Sequence, residues 1–212
     1  AVRLCLLRAS SSRGALTHYV DANKGEFKLV AAAANPAVVI HAVEPLPEEG
    51  ATFQAVHGAN PNVTLHRIAA GPADDTLTIN VSRRRDSSSL LPISGLQSET
   101  FPGTEKAGAL DVPVRRLDDV LADAALPRPA LVKLDVQGFE LEALKGMTAL
   151  LQRVDYVYAE VSFKELYSGQ PLAHEIIRWL DEHDFPFACV NTITSSASGE
   201  PVQADILFAR RG

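Results

Sequence analysis

Runs of four to six apolar residues alternate with stretches of helical periodicity along most of this chain. That alternation is the pattern of βαβ units and a mainly parallel sheet. The apolar runs predict strands over 15–20, 37–43, 63–68, 130–134, 154–159, 185–190 and 204–209. Helices are predicted after Gly25, with Phe27 and residues 30–34 on the buried side, and around 52–58. A further helix runs from Gly138 to Gly146, a glycine well placed as the left-handed residue that ends it. Asp118 is placed to cap a short helix through Ala125, and Pro171 to open one whose Leu172, Ile176 and Leu180 share a face. Leu77, Ile79 and Val81 alternate with polar residues, as do Leu110, Val112 and Val114, which predicts two half-exposed antiparallel strands. Pro113 favours an edge position for the second. Between them, the Ser/Gly/Pro/Arg-rich stretch 82–108 is long for a simple connection and reads as a functional lid or insertion. The expected fold class is α/β: a doubly wound, mainly parallel sheet with a small antiparallel insertion, in one domain over 1–212.

Composition changes this picture little. The 212 residues are 46% hydrophobic and 22% charged, with a net charge of −6. Such a chain buries a full core without staples. The acidic balance argues against nonspecific nucleic-acid binding as the main function. Cys5 and Cys189 are too few for a disulfide framework, and no Cys/His cluster suggests zinc. A reducing, cytoplasmic setting is expected. No apolar stretch approaches a membrane span; the best, 29–34, stops at Asn35-Pro36. The first twenty residues read as an amphipathic helix carrying Leu4, Leu6 and Leu7, then a Ser-Ser-Arg-Gly loop, rather than as a transit peptide.

The chemistry gathers at strand ends. Four of the predicted parallel strands end in an acid: Asp21, Glu44, Asp135 and Glu160. Open α/β sheets bind ligands outside the carboxyl ends of their strands, so these four are candidate site residues. Glu44 lies 19 residues beyond Gly25, the spacing at which an acid accepts from ribose hydroxyls in nucleotide-binding sheets. The loop DANKGEF has one glycine, so the dinucleotide fingerprint is absent, and no P-loop is present. An adenosine-type ligand without pyrophosphate suits this loop, and S-adenosylmethionine (SAM) is one. In LVKLDVQGFELEALKGM, strand alternation puts Leu131, Lys133 and Asp135 on one face, Val132 and Leu134 on the other. A lysine inside a central strand needs a partner, for which Asp135, Glu140 and Glu160 are candidates; an edge strand with a snorkelling lysine is the alternative.

That segment resembles the hallmark of the FkbM-type SAM-dependent methyltransferases, approximately K-x-D-x-x-G-x-E followed by L-K-G. Lys133, Asp135, Gly138, Glu140, Leu144, Lys145 and Gly146 match it. The similarity extends in order through HAVEPLP, SSSLL, VPVRRLDDVL and YAEVSFKELYSGQP. In one place the chain departs from the family. Its YVDANKGEF is two residues shorter than a loop like V-D-V-G-A-N-x-G and lacks the first glycine, whose absence weakens close backbone approach to a cofactor.

The resemblance implies a Rossmann-like class I methyltransferase fold: seven strands, helices on both faces and a last strand running antiparallel. It implies O-methylation of a hydroxyl on a sugar, glycan or other natural product. The implied cofactor contacts are Asp21, Asn23, Gly25, Glu44, Pro45 and Ala70, and the implied substrate contacts Ser88, Glu140 and His174. Asp135 and Glu160 are candidates for the base that takes the hydroxyl proton, with Lys133 orienting Asp135. Two or three rim carboxylates also suit Mg²⁺, a less favoured reading. The run Arg83–Arg85 reads as a solvated loop face or a contact for an acidic substrate. Two other classes compete: a degenerate fold acting as a non-catalytic binding module, and a metal-dependent hydrolase built on the carboxylates.

Overall fold

The computed structural model describes the strand 18–22 by its backbone, and residues 37–126 and 128–212 in full. The expected N-terminal helix, the helix after Gly25, and Asn23 and Gly25 themselves lie outside the described residues. The chain order is β1 (His18–Ala22), β2 (Val39–Val43), α1 (Pro47–His57), β3 (Val63–His66), β4 (Ala69–Ala70) and β5 (Asp75–Ser82). A 3-10 turn (Arg85–Ser87), α2 (Gly95–Thr100), β6 (Lys106–Arg115), α3 (Leu117–Val120) and β7 (Ala130–Leu134) follow. Then come α4 (Glu140–Lys145), α5 (Thr148–Leu151), β8 (Tyr156–Ser162), α6 (Ala173–Glu182), β9 (Phe187–Ser195) and β10 (Pro201–Ala209).

The main sheet is mixed, with seven strands in the order β3-β2-β1-β7-β8-β10-β9. β3, β2, β1, β7 and β8 pair in parallel, while β10 is antiparallel to both β8 and β9. The order reverses at β1, so the carboxyl ends of β1, β2 and β7 meet, with Ala22 beside Leu134. β7 is buried along its whole length between two parallel neighbours. Its alternation behaves as expected. Val132 and Leu134 join the core formed with α4, α5 and α6 through Leu144, Leu151, Ile176 and Leu180. Leu131 joins a second apolar cluster with Ile40, Tyr156, Tyr158 and Leu207. Lys133 is therefore in a central strand, and the edge-strand alternative falls.

Several local expectations are corrected. The strand expected to stop before Glu160 continues to Ser162, because β10 pairs along it and sets Asp205 opposite Glu160. Helix α1 begins five residues earlier than predicted, at Pro47 with Glu48 and Glu49 in its first turn, a favoured helix start. Asp118 caps no helix of its own; it sits in the first turn of α3 and caps α5, accepting from the Leu150 amide at 2.7 Å. Gly146 is not left-handed, with φ −84°; glycine is needed there because a Cβ would lie 1.9 Å from the Gly71 carbonyl oxygen. The insertion is a three-stranded sheet, β4-β6-β5, whose β4–β6 pair is parallel rather than antiparallel. β6 is its central strand, yet β4 pairs only with Val114 and Arg115, so Pro113 still lies where one side has no ladder partner. Cys189, on β9, is disulfide-bonded.

Candidate active site

The register of the sheet builds the site. Leu134 pairs with Ala159, which makes Asp135 and Glu160 neighbours just beyond that pair, and Glu160 pairs in turn with Asp205. Three acids thus cross β7, β8 and β10 on the face that carries Lys133. Lys133 Nζ donates to Asp135 Oδ2 at 3.0 Å, with both side chains more than four-fifths shielded from water. An ammonium this deep is tolerable because its carboxylate partner is beside it.

Two amides donate to Asp135 Oδ1 and Glu160 Oε2. Gln137 Nε2 donates to Asp135 Oδ1 at 2.6 Å and to Glu160 Oε2 at 3.3 Å, and Gln203 Nε2 donates to Glu160 Oε2 at 2.9 Å. Burial, then the charges of Asp135, Glu140 and Asp205, hold Glu160 well above the usual carboxylate range, against the pull of Lys133. Asp205 is raised as well, by burial and then by Asp135. Glu140 is buried and pushed up to about 7, chiefly by burial. Its Oε1 accepts from the amides of Val136 at 3.1 Å and Gly138 at 3.2 Å, so it holds the turn that follows β7. Gly138 has φ +94°, and a Cβ there would press on Tyr167 at 3.2 Å; both facts call for glycine.

A pocket opens beside this row at the carboxyl ends of β2 and β7. Its lining includes Glu44, Pro45, Ala70, Ser88, Asp135 and Gln137, with apolar walls from Val43, Leu46, Ile79 and Phe139. The sequence-derived candidates Glu44, Pro45, Ala70, Ser88 and Asp135 are thereby brought together. Glu44 is buried, and its Oε1 accepts from the Leu46 amide at 2.8 Å. Lys133, Glu140 and Glu160 stand behind the lining rather than in it, and His174 is exposed on α6. Asp21 is described only as backbone in β1, beside Lys133. The far wall is formed by the stretch 82–108, through Arg85, Asp86, Ser88 and Leu90. Of the arginine run, Arg85 pairs with Glu48 at 2.7 Å and Arg84 lies 3.8 Å from Asp86.

Sequence reasoning missed Gln137 and Tyr167. Tyr167 is fully buried, and its hydroxyl lies 2.6 Å from Gln137 Oε1, 3.1 Å from the Ser87 carbonyl and 3.1 Å from Gln97 Nε2, which donates to it. Gln137 falls at an unspecified position of the hallmark, and Tyr167 is drawn in by a loop with no periodicity to read. Among the described residues, no group of three His, Cys, Asp or Glu side chains is placed to hold a metal ion. The carboxylates are served by an ammonium and amides instead.

Comparison with known proteins gives the family. Residues 20–187 match the methyltransferase FkbM domain. The hexuronic acid methyltransferase AglP of Haloferax volcanii is 34% identical over 93 residues, covering 39% of this chain and 39% of AglP. The 2-O-methyltransferase NoeI of Sinorhizobium fredii is 40% identical over 63 residues, covering 30% of this chain and 26% of NoeI. The matches span well under half the length of either relative. Among solved structures, a Thermobifida fusca protein assigned as a methyltransferase aligns with a TM-score of 0.54 at 13% identity, covering 99% of this chain and 80% of that one. The N-methyltransferase NodS of Bradyrhizobium japonicum, in complex with S-adenosylhomocysteine (SAH), gives 0.51 at 10% identity, covering 98% and 84%. Identities this low speak for a shared α/β methyltransferase fold alone. The family match covers most of the chain, from β1 to the start of β9: the chain belongs to the FkbM methyltransferase family.

Proposed function

We propose that this protein is a SAM-dependent O-methyltransferase acting on a hydroxyl of a sugar, glycan or other natural product. The observation that carries the reading is one pocket holding a buried acid at the end of β2 and a second acid, Asp135, at the end of β7. The donor set fits the cofactor: Glu44 offers a carboxylate to a ribose, while Val43, Ala69, Ala70 and Ile79 give apolar walls for a base. The bound cofactor would supply an electrophilic methyl group. Asp135 accepts the hydroxyl proton of the acceptor, its charge held by Lys133. Such a positioned base contributes roughly 10²–10⁴-fold in rate. Glu160, with its raised proton affinity, supports Asp135 rather than acting as base. Ser88 and the rest of 82–108 cover the acceptor as a lid on a single catalytic domain, and Asp21, Asn23 and Gly25 complete the cofactor side. Glu140 shapes the turn that follows β7, below the acceptor.

The activities in the names of AglP and NoeI support a sugar acceptor. The finer fold reading, a doubly wound sheet with helices on both faces, is supported by the burial of both apolar faces of β7. No helix among the described residues is long and apolar enough to cross a membrane. The test is calorimetry with SAH. Wild type binds it, and Glu44→Ala loses roughly 1.5–3 kcal/mol of affinity with the charge-assisted hydrogen bonds. Unchanged affinity would overturn the assignment of Glu44; no binding by wild type would point to a non-catalytic module.

A further inference from the structure

Resting on that reading, we propose that Gln137 is a positioning residue for the transfer: its side-chain amide, aimed by Tyr167, keeps Asp135 ionised at the pocket and apart from Glu160. Gln137 is the residue between the two carboxylates. It also lines the pocket, and its backbone is left-handed at φ 53°, a conformation a glutamine adopts only where its surroundings impose it. One contact and one neighbour accompany it here. Ser89 Oγ donates to the Gln137 carbonyl at 2.6 Å, and Gly138 next to it is left-handed as well.

The chemistry of an amide explains the arrangement. A glutamine side chain has a donor end and an acceptor end, and ionised carboxylates only accept. With Nε2 toward Asp135 and Glu160, both carboxylates meet a donor; the reversed amide would face its oxygen to both. The Tyr167 hydroxyl fixes the choice, because it presents a proton to Gln137 Oε1 at 2.6 Å. That proton has a second acceptor in reach, the Ser87 carbonyl at 3.1 Å, so the amide's aim is tied to the stretch 82–108.

The two carboxylates are thus treated unequally. Asp135 receives an ammonium at 3.0 Å and the shorter amide bond at 2.6 Å, both of which favour its anion. Glu160 receives amides alone, both on Oε2. Among the described residues, the other titratable groups facing the pair are Glu140 on α4, Asp205 on β10, Tyr158 on β8 and Tyr167 after β8; the acids among them favour a proton on one of the two carboxylates. Lys133 and the shorter of the two Gln137 bonds together leave that proton on Glu160 and Asp135 as the base.

The test is a ¹³C NMR titration of protein labelled at the Asp and Glu carboxyl carbons, with Asp135→Asn and Glu160→Gln assigning the two signals. In wild type, Asp135 titrates well below Glu160. In Gln137→Leu the Asp135 midpoint rises by roughly one pH unit, a tenfold gain in proton affinity. Tyr167→Phe moves it the same way by less, and decides the matter if Gln137→Leu does not fold. A midpoint within about 0.3 of a pH unit of wild type in the folded variants overturns the proposal. SAH calorimetry on the same wild-type sample separates the claims: no binding there defeats the methyltransferase reading, while the titration still judges Gln137.

Discussion

Glu140 has its carboxyl group shut away from water, and its proton stays on until about pH 7. Unfolding returns it to an ordinary glutamate value near 4.5. Below that value both states are protonated and pH does nothing. Above it the unfolded chain releases a proton that the folded chain keeps, so stability falls as pH rises, and the loss is complete once the folded group ionises. The span is worth roughly 3 kcal/mol. Glu140→Gln keeps an Oε1 acceptor for the amides of Val136 and Gly138 but cannot ionise. Its melting temperature is expected to fall less than that of wild type between pH 5 and 7.5, and to exceed it at the upper end. Parallel melting curves would refute the assignment. Asp135→Asn asks the catalytic question. It replaces the carboxylate that accepts from Lys133 Nζ by a neutral amide, so a loss of melting temperature accompanies it. Turnover on a screened sugar acceptor is expected to fall roughly 10²–10⁴-fold. Near-wild-type turnover would refute the role of Asp135 as base.

At the scale of elements, the chain was legible wherever a local pattern carried the information. The boundaries of β7 follow from its apolar run, and the buried face of α6 from the spacing of Ile176 and Leu180, although α6 starts at Ala173 with Leu172 as its cap, two residues beyond the Pro171 expected to open it. Elements set by a distant partner were not legible. Glu160 reads as a strand end because a charge closes an apolar run, and only the pairing with β10 carries the strand past it. Asp118 reads as a cap for the helix that follows, but folding brings the start of α5 to it from 30 residues away. Asp118→Ala is therefore expected to cost about 1 kcal/mol through loss of the α5 cap. Gly146 makes the same point more sharply. Its place after α4 suggested a left-handed turn, which alanine would strain moderately. The actual constraint is the Gly71 carbonyl, 1.9 Å from where a Cβ would stand. Gly146→Ala must then push α4 away from the β4 loop, at a cost of roughly 1–3 kcal/mol, visible as a melting temperature several degrees lower. An unchanged melting temperature would mean that the two segments separate without cost.

Across the whole molecule, the strand-end rule anticipates the pocket, since Glu44 and Asp135 line it together at the reversal of strand order. What it left out is the way the insertion is fastened to that edge. The stretch 82–108 is held through bonds that no sequence window contains: Tyr167 to Ser87 and Gln97, Ser89 to Gln137, and the backbone exchange between Asn80 and Ser89. Leu91, Ile93 and Phe101 add apolar contact with Leu166, Tyr167 and Val202. Tyr167 joins the insertion, the loop after β8 and the amide between the carboxylates. Tyr167→Phe keeps the ring in its buried place and removes the hydroxyl alone. Each lost hydrogen bond is worth about 0.5–1.5 kcal/mol, so opening of the segment is expected to become roughly tenfold more frequent. Hydrogen exchange reads this directly. The amides of Ser87, Ser89 and Phe101, all bonded within or next to the insertion, should exchange faster in the variant, while those of β7 and β8 keep their protection. Equal acceleration everywhere would show a global loss of stability, and no acceleration would show that apolar packing alone holds the insertion down; either result removes Tyr167 as its latch.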